Sequence, residues 1–364
     1  MLSSTDANMA GMKNKGFLYP LVGVDFGSQS IKAVAISGRA NNFEIIGLAE
    51  VPTPKGTIVD YQIIDIDKVV QAVRTLMKRI PNKTRYVATT VSGSSVISRV
   101  IQAEASLSDS ELSNYIESES EQIIPFPLDE MNIDYEIIGP NLVDGTKNDV
   151  LVSGARTESV EQRVAVFDSV DCQVKVVDVG IHALGRAIRN IIPSFDVNYA
   201  EKVVAIVDVG AVTLSFGVMT QGEVVYQRLQ SFGGDNITQN IATYSNMPYE
   251  DAEKCKVQNR LPSDIQSQII PQYFNQLAQQ IKRNIQLFTS SSQHREVDAV
   301  VLTGGGCLLP SIKDQLSNTL GVKEVICPDI FRSAPKFKTE ENPMGCKFMT
   351  ALGLALRSFE PCQI

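Results

Sequence analysis

Two stretches of this sequence echo each other: VDFGSQSIKAV at residues 24–34 and VDVGAVTLSFG at residues 207–217. Each copy leaves an apolar strand, turns at an Asp-x-Gly step and returns through residues that favour a second strand. A single Asp-x-Gly turn is a common hairpin, but two copies that each follow an apolar strand indicate a duplicated strand–turn–strand unit. The repeat predicts two related domains.

Both turns have the chemistry of a phosphate site. Glycine lets backbone N–H groups approach a phosphate without interference from a Cβ atom. Asp25 and Asp208 would hold Mg²⁺ through its waters, because Mg²⁺ prefers oxygen ligands and dehydrates reluctantly. Two such hairpins facing each other across a cleft would hold a nucleotide between the domains. The predicted phosphate contacts are Gly27, Ser28, Gln29, Ser30 and Lys32 in the first copy and Gly210, Ala211 and Thr213 in the second.

Two further features fit the same site. Gly304, Gly305 and Gly306 follow a buried strand and precede a helix, which suits a loop pressed against a flat base or a phosphate. Glu253 and Lys256 lie three residues apart on a predicted helix and therefore share a face. An ordinary glycine loop and a solvated ion pair remain open as alternatives. The two common nucleotide motifs, G-x-x-x-x-G-K-[ST] and G-x-G-x-x-G, are absent from the sequence.

Composition excludes several classes of protein. The net charge of −8 argues against nucleic-acid binding, which needs a basic face. No apolar run reaches the roughly 18–20 residues that span a bilayer. The six cysteines show no C-x-x-C spacing, and only His182 and His294 are available to join them in a zinc site. The sequence predicts a cytosolic globular protein with reduced thiols.

Strand and helix patterns alternate along the chain, which predicts an α/β fold. Residues 1–19 are predicted to be a flexible leader, and residues 20–102, 181–200 and 345–364 to form the first domain. An inserted α/β subdomain is predicted at residues 103–180, where a capping box at Ser108 and Glu111 opens an acidic helix. Residues 201–344 are predicted to form the second domain, with a helical part at about 236–296. There Pro271 is expected to kink or divide a long helix.

Together these motifs resemble the actin–Hsp70–sugar kinase superfamily and, within it, the PilM family of type IV pilus assembly proteins. The similarity runs from about Leu21 to Phe359, nearly the whole chain. The phosphate motifs indicate only the superfamily. The stretches that indicate the family are ESEQIIPFPLDE at residues 119–130, DYE at 134–136, VSGAR at 152–156 and VVDV at 176–179.

The resemblance implies an actin-like ATPase (ribonuclease H-like) fold of two domains with an FtsA-type insert, and ATP and Mg²⁺ in the central cleft. It places the adenosine at Gly304–Gly306 and the nucleoside against Glu253 and Lys256. It also implies a cytoplasmic adaptor that docks the N-terminal peptide of a PilN-like inner-membrane protein. That peptide would lie in a groove between the first domain and the insert, and the docking would recruit the adaptor to the inner face of the membrane.

Departures from the superfamily pattern lead us to expect ATP binding with weak or absent hydrolysis. The second phosphate loop reads Gly210-Ala211-Val212, where many relatives have a run of glycines. The position that often supplies a Glu or Gln to orient the attacking water falls on Gly180, with Asp178 and His182 as neighbouring alternatives. The sequence therefore assigns no catalytic residue.

Two other functions are open. An FtsA-like division or filament protein is the main alternative, although the residues after Arg357 show no amphipathic membrane-targeting helix. A phosphotransferase of the sugar-kinase branch would need a positioned base and a small-molecule pocket, and neither is identifiable. The pilus adaptor is therefore the favoured interpretation.

Overall fold

The computed structural model describes residues 20–40, 42–81, 84–124, 126–141, 143–191, 202–339 and 344–360. The predicted leader lies outside these residues. The strands are β1 Val22–Phe26, β2 Ser30–Arg39, β3 Asn42–Pro52, β4 Ile58–Val59, β5 Gln62–Ile63, β6 Tyr86–Val91, β7 Val96–Glu104, β8 Met131–Pro140, β9 Lys147–Arg156, β10 Gln173–Val179, β11 Val204–Val209, β12 Leu214–Thr220, β13 Glu223–Gln230, β14 Ala299–Thr303 and β15 Glu324–Ile326. The helices are α1 Ile66–Arg79, α2 Asp109–Ile123, α3 Thr157–Asp168, α4 Gly180–Ile191, α5 Gly234–Ser245, α6 Tyr249–Val257, α7 Ser263–Ser291, α8 Ile312–Leu320 and α9 Met349–Leu356.

Two five-stranded sheets share one topology. Their orders are β3-β2-β1-β6-β10 and β13-β12-β11-β14-β15. In each sheet the first three strands are antiparallel, and the last two run parallel to the third. Asp25 lies opposite Lys32 in the first hairpin, and Asp208 lies opposite Ser215 in the second. The two hairpins have equivalent registers, because Asp25 and Lys32 align with Asp208 and Ser215 in the sequence repeat.

The two hairpin turns are closed by the same hydrogen bond. The Gly27 N–H donates to the Ser30 carbonyl at 3.2 Å, and the Gly210 N–H donates to the Thr213 carbonyl at 2.9 Å. The repeat in the sequence is therefore a repeat in structure, with one copy in each half of the molecule.

Helices α4 and α9 lie between the two sheets. One hydrophobic cluster joins α4 and α9 to apolar residues of both sheets, including Val34 and Ile206. The contact between the helices is a backbone contact, because a Cβ atom on Gly353 would lie 1.7 Å from the Ala183 carbonyl oxygen. The α4–α9 pair therefore connects the two halves beneath the cleft.

The inserted subdomain is a three-stranded sheet, ordered β7-β9-β8, with α2 packed on one face. The predicted capping box is confirmed, because the Ser108 N–H donates to Glu111 Oε2 at 2.9 Å and the Glu111 N–H donates to Ser108 Oγ at 3.4 Å. Ala103, Leu112 and Val150 are among the buried residues of its small core. The insert thus has an apolar core of its own.

The boundaries of the insert differ from the predicted 103–180. Its sheet begins earlier, at Val96 in β7. At the other end, β10 pairs with β6 in the first sheet, and Phe167 of α3 packs edge-on against Phe26 of β1 with ring centroids 5.8 Å apart. Residues 157–180 therefore belong to the first domain. Local patterns predict the helix and the strand but not the sheet that they join, because strand pairing is a long-range contact.

The second domain carries α5, α6 and α7 on its sheet, within one apolar cluster. Pro271 lies inside α7, which continues past it as a single helix. The part of the chain that the structure describes contains no helix whose length and hydropathy would let it span a bilayer.

Candidate nucleotide-binding cleft

A cleft of about 1600 Å³ opens between the two halves of the molecule. All fifteen residues predicted from the sequence line it, from both hairpins, α6 and the triple-glycine loop. The fold thus brings together residues that are up to 281 positions apart, from Asp25 to Gly306.

The charged lining of the cleft differs from that of the chain as a whole. Although the chain carries a net charge of −8, basic side chains outnumber acidic ones among the described residues of the cleft. This balance favours an anionic ligand. The basic residues are Lys32, Arg79, Lys254, Lys256, Arg260, Lys336 and Lys347, and the acidic ones are Asp25, Glu50, Asp208, Asp235 and Glu253.

The two carboxylates at the ends of β1 and β11 lie close enough to repel each other. Burial raises the pKa of Asp25, an effect that the Lys32 charge opposes. Burial and the charge of Asp25 raise the pKa of Asp208 to about 6, although the Thr303 hydroxyl donates a hydrogen bond to its Oδ1 at 3.1 Å. A cation between the two carboxylates would remove this repulsion.

The donor set of this site fits a hydrated cation. Within the described part of the chain, no group of three or more His, Cys, Asp or Glu side chains could hold a metal ion. Two carboxylates would therefore suit an ion that keeps most of its waters, as Mg²⁺ does. Asp25 and Asp208 are the residues that would hold it.

The three glycines of the loop after β14 have different roles. Gly304 adopts a φ of +86°, and a Cβ atom there would lie 2.5 Å from the Val209 carbonyl oxygen. A Cβ atom on Gly306 would lie 2.3 Å from Val209 Cγ1. A Cβ atom on Gly305 would meet no atom within 4 Å. Gly304 and Gly306 therefore hold the loop against β11, whereas Gly305 leaves open space beside a cleft-lining backbone.

Glu253 and Lys256 form a largely buried ion pair on α6. Lys256 Nζ lies 2.6 Å from Glu253 Oε2 and donates to the Gly234 carbonyl at 3.1 Å. The Thr238 hydroxyl donates to Glu253 Oε2 at 2.5 Å. These hydrogen bonds hold Glu253 and Lys256 against the start of α5. The pair is therefore not a solvent-exposed ion pair, which was the alternative interpretation of the sequence.

The start of α5 also holds the second hairpin in place. The Gly234 N–H donates to the Gly210 carbonyl at 2.9 Å, and the Asp235 N–H donates to the Ala211 carbonyl at 2.7 Å. Because these carbonyls are engaged by α5, the loop is supported from behind and its position depends on the helix.

The sequence analysis missed several residues of the cleft. Tyr61 reaches across it, with its hydroxyl 2.6 Å from Thr213 Oγ1. Glu50 accepts hydrogen bonds from Ser30 Oγ at 2.7 Å and from Lys347 Nζ at 2.5 Å. No local sequence motif indicates these contacts, because each joins residues at least 20 positions apart.

The three positions considered for a residue that orients water do not provide one. Gly180 has no side chain, and a Cβ atom there would lie 2.4 Å from Ser92 Oγ, so a larger residue would require Ser92 to move. Asp178 pairs with Arg186 at 2.7 Å, and His182 Nε2 lies 3.3 Å from Ser98 Oγ. Neither Asp178 nor His182 is among the residues that line the cleft.

The environment of His182 predicts a loss of stability in acid. Burial lowers the pKa of His182 to about 4, with the charge of Asp178 opposing this and that of Arg186 adding to it. Between about pH 6.5 and pH 4 the imidazole of His182 is protonated in the unfolded chain but stays neutral in the folded protein. Acid therefore favours the unfolded chain, and the free energy of unfolding falls by about 2 kcal/mol for this half-buried group. We expect the free energy of unfolding, measured with urea, to fall less between pH 7 and pH 4.5 in His182→Gln than in the unmodified protein, by about 2 kcal/mol.

The second histidine provides the control for this measurement. His294→Gln carries the same substitution away from Asp178 and Arg186 and is expected to keep the full acid loss. Equal acid losses in the unmodified protein and in both variants would contradict the account of His182.

Comparison with known proteins agrees with this arrangement. The sequence profile of the type IV pilus assembly protein PilM matches residues 23–359. A chain from the PilM-PilN type IV pilus biogenesis complex is 26% identical and superposes with a TM-score of 0.79, over 94% of this chain and 99% of that chain. The ethanolamine utilization protein EutJ from Carboxydothermus hydrogenoformans is 16% identical, with a TM-score of 0.57 over 92% of this chain and 89% of that chain. The second likeness bears on the fold alone.

The fold is that of the actin-like ATPases, as the resemblance in the sequence implied. The profile match extends from β1 to the end of α9 and includes the inserted sheet. The chain therefore belongs to the PilM family of type IV pilus assembly proteins.

Proposed function

We propose that this protein is an ATP-binding adaptor of type IV pilus assembly that docks the N-terminal peptide of a PilN-like inner-membrane protein. The observation that carries the proposal is the family match over residues 23–359, which includes both the cleft and the insert. The similarity to a chain from the PilM-PilN complex supports the choice of partner. The protein would reach the inner face of the membrane through that partner.

In the proposed nucleotide complex, the triphosphate lies between the hairpin turns at Gly27 and Gly210. Backbone N–H groups of the turns and the ammonium of Lys32 contact the phosphates, while Asp25 and Asp208 hold hydrated Mg²⁺. Mg²⁺ held by these carboxylates would neutralise phosphate charge. The adenosine occupies the open space beside Gly305, which a Cβ atom would otherwise fill.

The same geometry predicts slow or absent hydrolysis. A general base must lie within hydrogen-bond reach of the attacking water. Of the positions considered for one, Gly180 has no side chain, and Asp178 and His182 do not line the cleft. We expect phosphate release from ATP at a rate far below about 10 per second, the median for enzymes. Asp208→Ala measured in parallel gives the background. Turnover near the enzyme median that Asp208→Ala abolishes would contradict this prediction.

The seam between the insert and the first domain is the proposed peptide groove. Asn132, at the start of β8, donates to Thr157 Oγ1 at the start of α3 at 3.1 Å, so this end of the strand lies against the first domain. Within the described residues, β8 pairs on one side alone, with β9. An extended peptide could add to the open edge through backbone hydrogen bonds, while pockets in the seam select its side chains.

Peptide binding tests the proposal directly. A fluorescent peptide from the N-terminus of the neighbouring PilN-like protein is titrated with the purified protein, with and without ATP and Mg²⁺. We expect saturable binding that a scrambled peptide of the same composition does not show. Absence of binding in both nucleotide conditions would contradict the adaptor.

Liposome flotation distinguishes the adaptor from the FtsA-like alternative. The adaptor is expected to stay out of the lipid fraction unless vesicles carry the membrane partner. Flotation with protein-free vesicles of anionic lipid would favour the alternative.

A further inference from the structure

Tyr61 connects the two halves of the molecule across the cleft. It lies in the two-residue turn between β4 and β5, and its hydroxyl is 2.6 Å from Thr213 Oγ1 in the second hairpin. The two residues are 152 positions apart in the sequence. The first domain thus places a side chain directly against the phosphate turn of the second.

The backbone at this turn is strained. Asp60 and Tyr61 have φ angles of +47° and +61°, in the left-handed region that glycine and asparagine occupy most easily. Hairpin turns of this kind usually carry Asn-Gly, so a bulky residue here is unusual and points to a functional cause. Gly93 makes room for the turn, since a Cβ atom there would lie 2.8 Å from the Asp60 carbonyl oxygen. The Ser94 hydroxyl donates to Asp60 Oδ2 and fixes the turn further.

A buried arginine holds the strained turn and links it to α3. Arg163, on α3, is 1% exposed and donates to the carbonyls of Tyr61, Thr90 and Ser159. The neighbouring Gln162 side chain accepts a hydrogen bond from the Ile63 N–H at 3.3 Å. Because α3 follows β9 without a break, these bonds connect the turn to the inserted sheet.

The Tyr61 hydroxyl lies where the phosphates are proposed to bind. Burial raises the pKa of Tyr61 to about 12, partly offset by hydrogen bonds with Thr213 and Ser215, and the charges of Asp208 and Asp25 raise it further. The hydroxyl is therefore neutral at pH 7 and can donate a hydrogen bond. It faces both carboxylates of the proposed metal site as well as the second hairpin.

We propose that Tyr61 senses the terminal phosphate of the nucleotide. In the ATP complex its hydroxyl releases Thr213 and donates a hydrogen bond to the γ-phosphate. The resulting movement of the strained turn is transmitted through Arg163 to α3 and the insert. The inference rests on the proposed nucleotide site. It adds a residue that distinguishes a nucleoside triphosphate from a diphosphate, and a route from the cleft to the seam where the peptide docks. Thr213 is the partner of Tyr61 when no terminal phosphate is present.

The test compares ATP and ADP, each with Mg²⁺, by calorimetry on the unmodified protein and on Tyr61→Phe. The variant keeps the ring and loses only the hydroxyl. In the ATP complex Tyr61 would exchange its neutral hydrogen bond to Thr213 for a charged one to the γ-phosphate. We therefore expect Tyr61→Phe to bind ATP about fivefold more weakly and ADP with unchanged affinity. Tyr244→Phe, an exposed tyrosine outside the cleft, is the matched control and should bind both nucleotides normally.

Hydrogen exchange of the backbone amides of residues 157–168 gives a second readout. It would not differ between the two nucleotides if Tyr61 had only a structural role. Exchange in α3 should differ between the ATP and ADP complexes of the unmodified protein, and Tyr61→Phe should abolish the difference. Equal affinity losses for both nucleotides, or no loss, would overturn the role of Tyr61 while the nucleotide site stands. Absence of nucleotide binding to the unmodified protein would overturn the proposed site itself, and the inference with it.

Discussion

Gly305→Val is expected to abolish nucleotide binding without changing the stability of the protein. A Cβ atom on Gly305 would meet no protein atom within 4 Å, and the backbone of Gly305 does not have a left-handed φ angle. The valine side chain would therefore project into open space beside the cleft, where the adenosine is proposed to lie. We expect affinity for ATP with Mg²⁺, measured by calorimetry, to fall by about 100-fold or more, the effect of filling a close-packed contact with a branched side chain.

Gly145→Val is the matched control for this experiment. A Cβ atom on Gly145 also meets no atom within 4 Å, and the residue lies in the insert, outside the cleft. Both variants should unfold at the temperature of the unmodified protein, and only Gly305→Val should lose nucleotide. Normal ATP binding by Gly305→Val would refute the placement of the adenosine.

Gly353→Ala is expected to have the largest effect on stability. Its Cβ atom would lie 1.7 Å from the carbonyl oxygen of Ala183, so α4 and α9 must move apart. These helices lie in the cluster that joins the two sheets, and their separation would loosen a core that contains Val34, Ile206 and Leu352. We expect the free energy of unfolding to fall by about 3 kcal/mol or more, at the upper end of overpacking effects.

Chemical denaturation of Gly353→Ala beside Gly305→Ala tests this contact. The two substitutions are chemically identical, but the second adds its Cβ to open space. Gly305→Ala should be close to neutral. If Gly353→Ala unfolds at the same denaturant concentration as the unmodified protein, the close packing of α4 on α9 is wrong.

The features predicted from sequence are those with a local signature. The hairpin repeat predicted two related strand–turn–strand units, and both have the same register in the structure, with Asp25 opposite Lys32 and Asp208 opposite Ser215. The capping box at Ser108 was equally local. Strands β3 and β8 were not predicted, although buried residues alternate with more exposed ones along β3, which is the pattern of a half-buried strand.

The features that were missed depend on contacts between distant residues. The pairing of β10 with β6 moved residues 157–180 out of the insert. The position of Tyr61 depends on Arg163, which is 102 residues further along the chain. The sequence presented Gly304 and Gly305 as equivalent, and only the position of β11 behind the loop distinguishes them. Sequence thus predicted which residues line the cleft better than what each of them does there.

The most direct test of the account is a crystal structure of the protein with Mg²⁺ and a non-hydrolysable ATP analogue. The account predicts the triphosphate between the turns at Gly27 and Gly210, with the hydrated metal ion beside Asp25 and Asp208 and the base against Gly305. An analogue bound away from these turns, or a structure in which the turns do not face the same ligand, would contradict it.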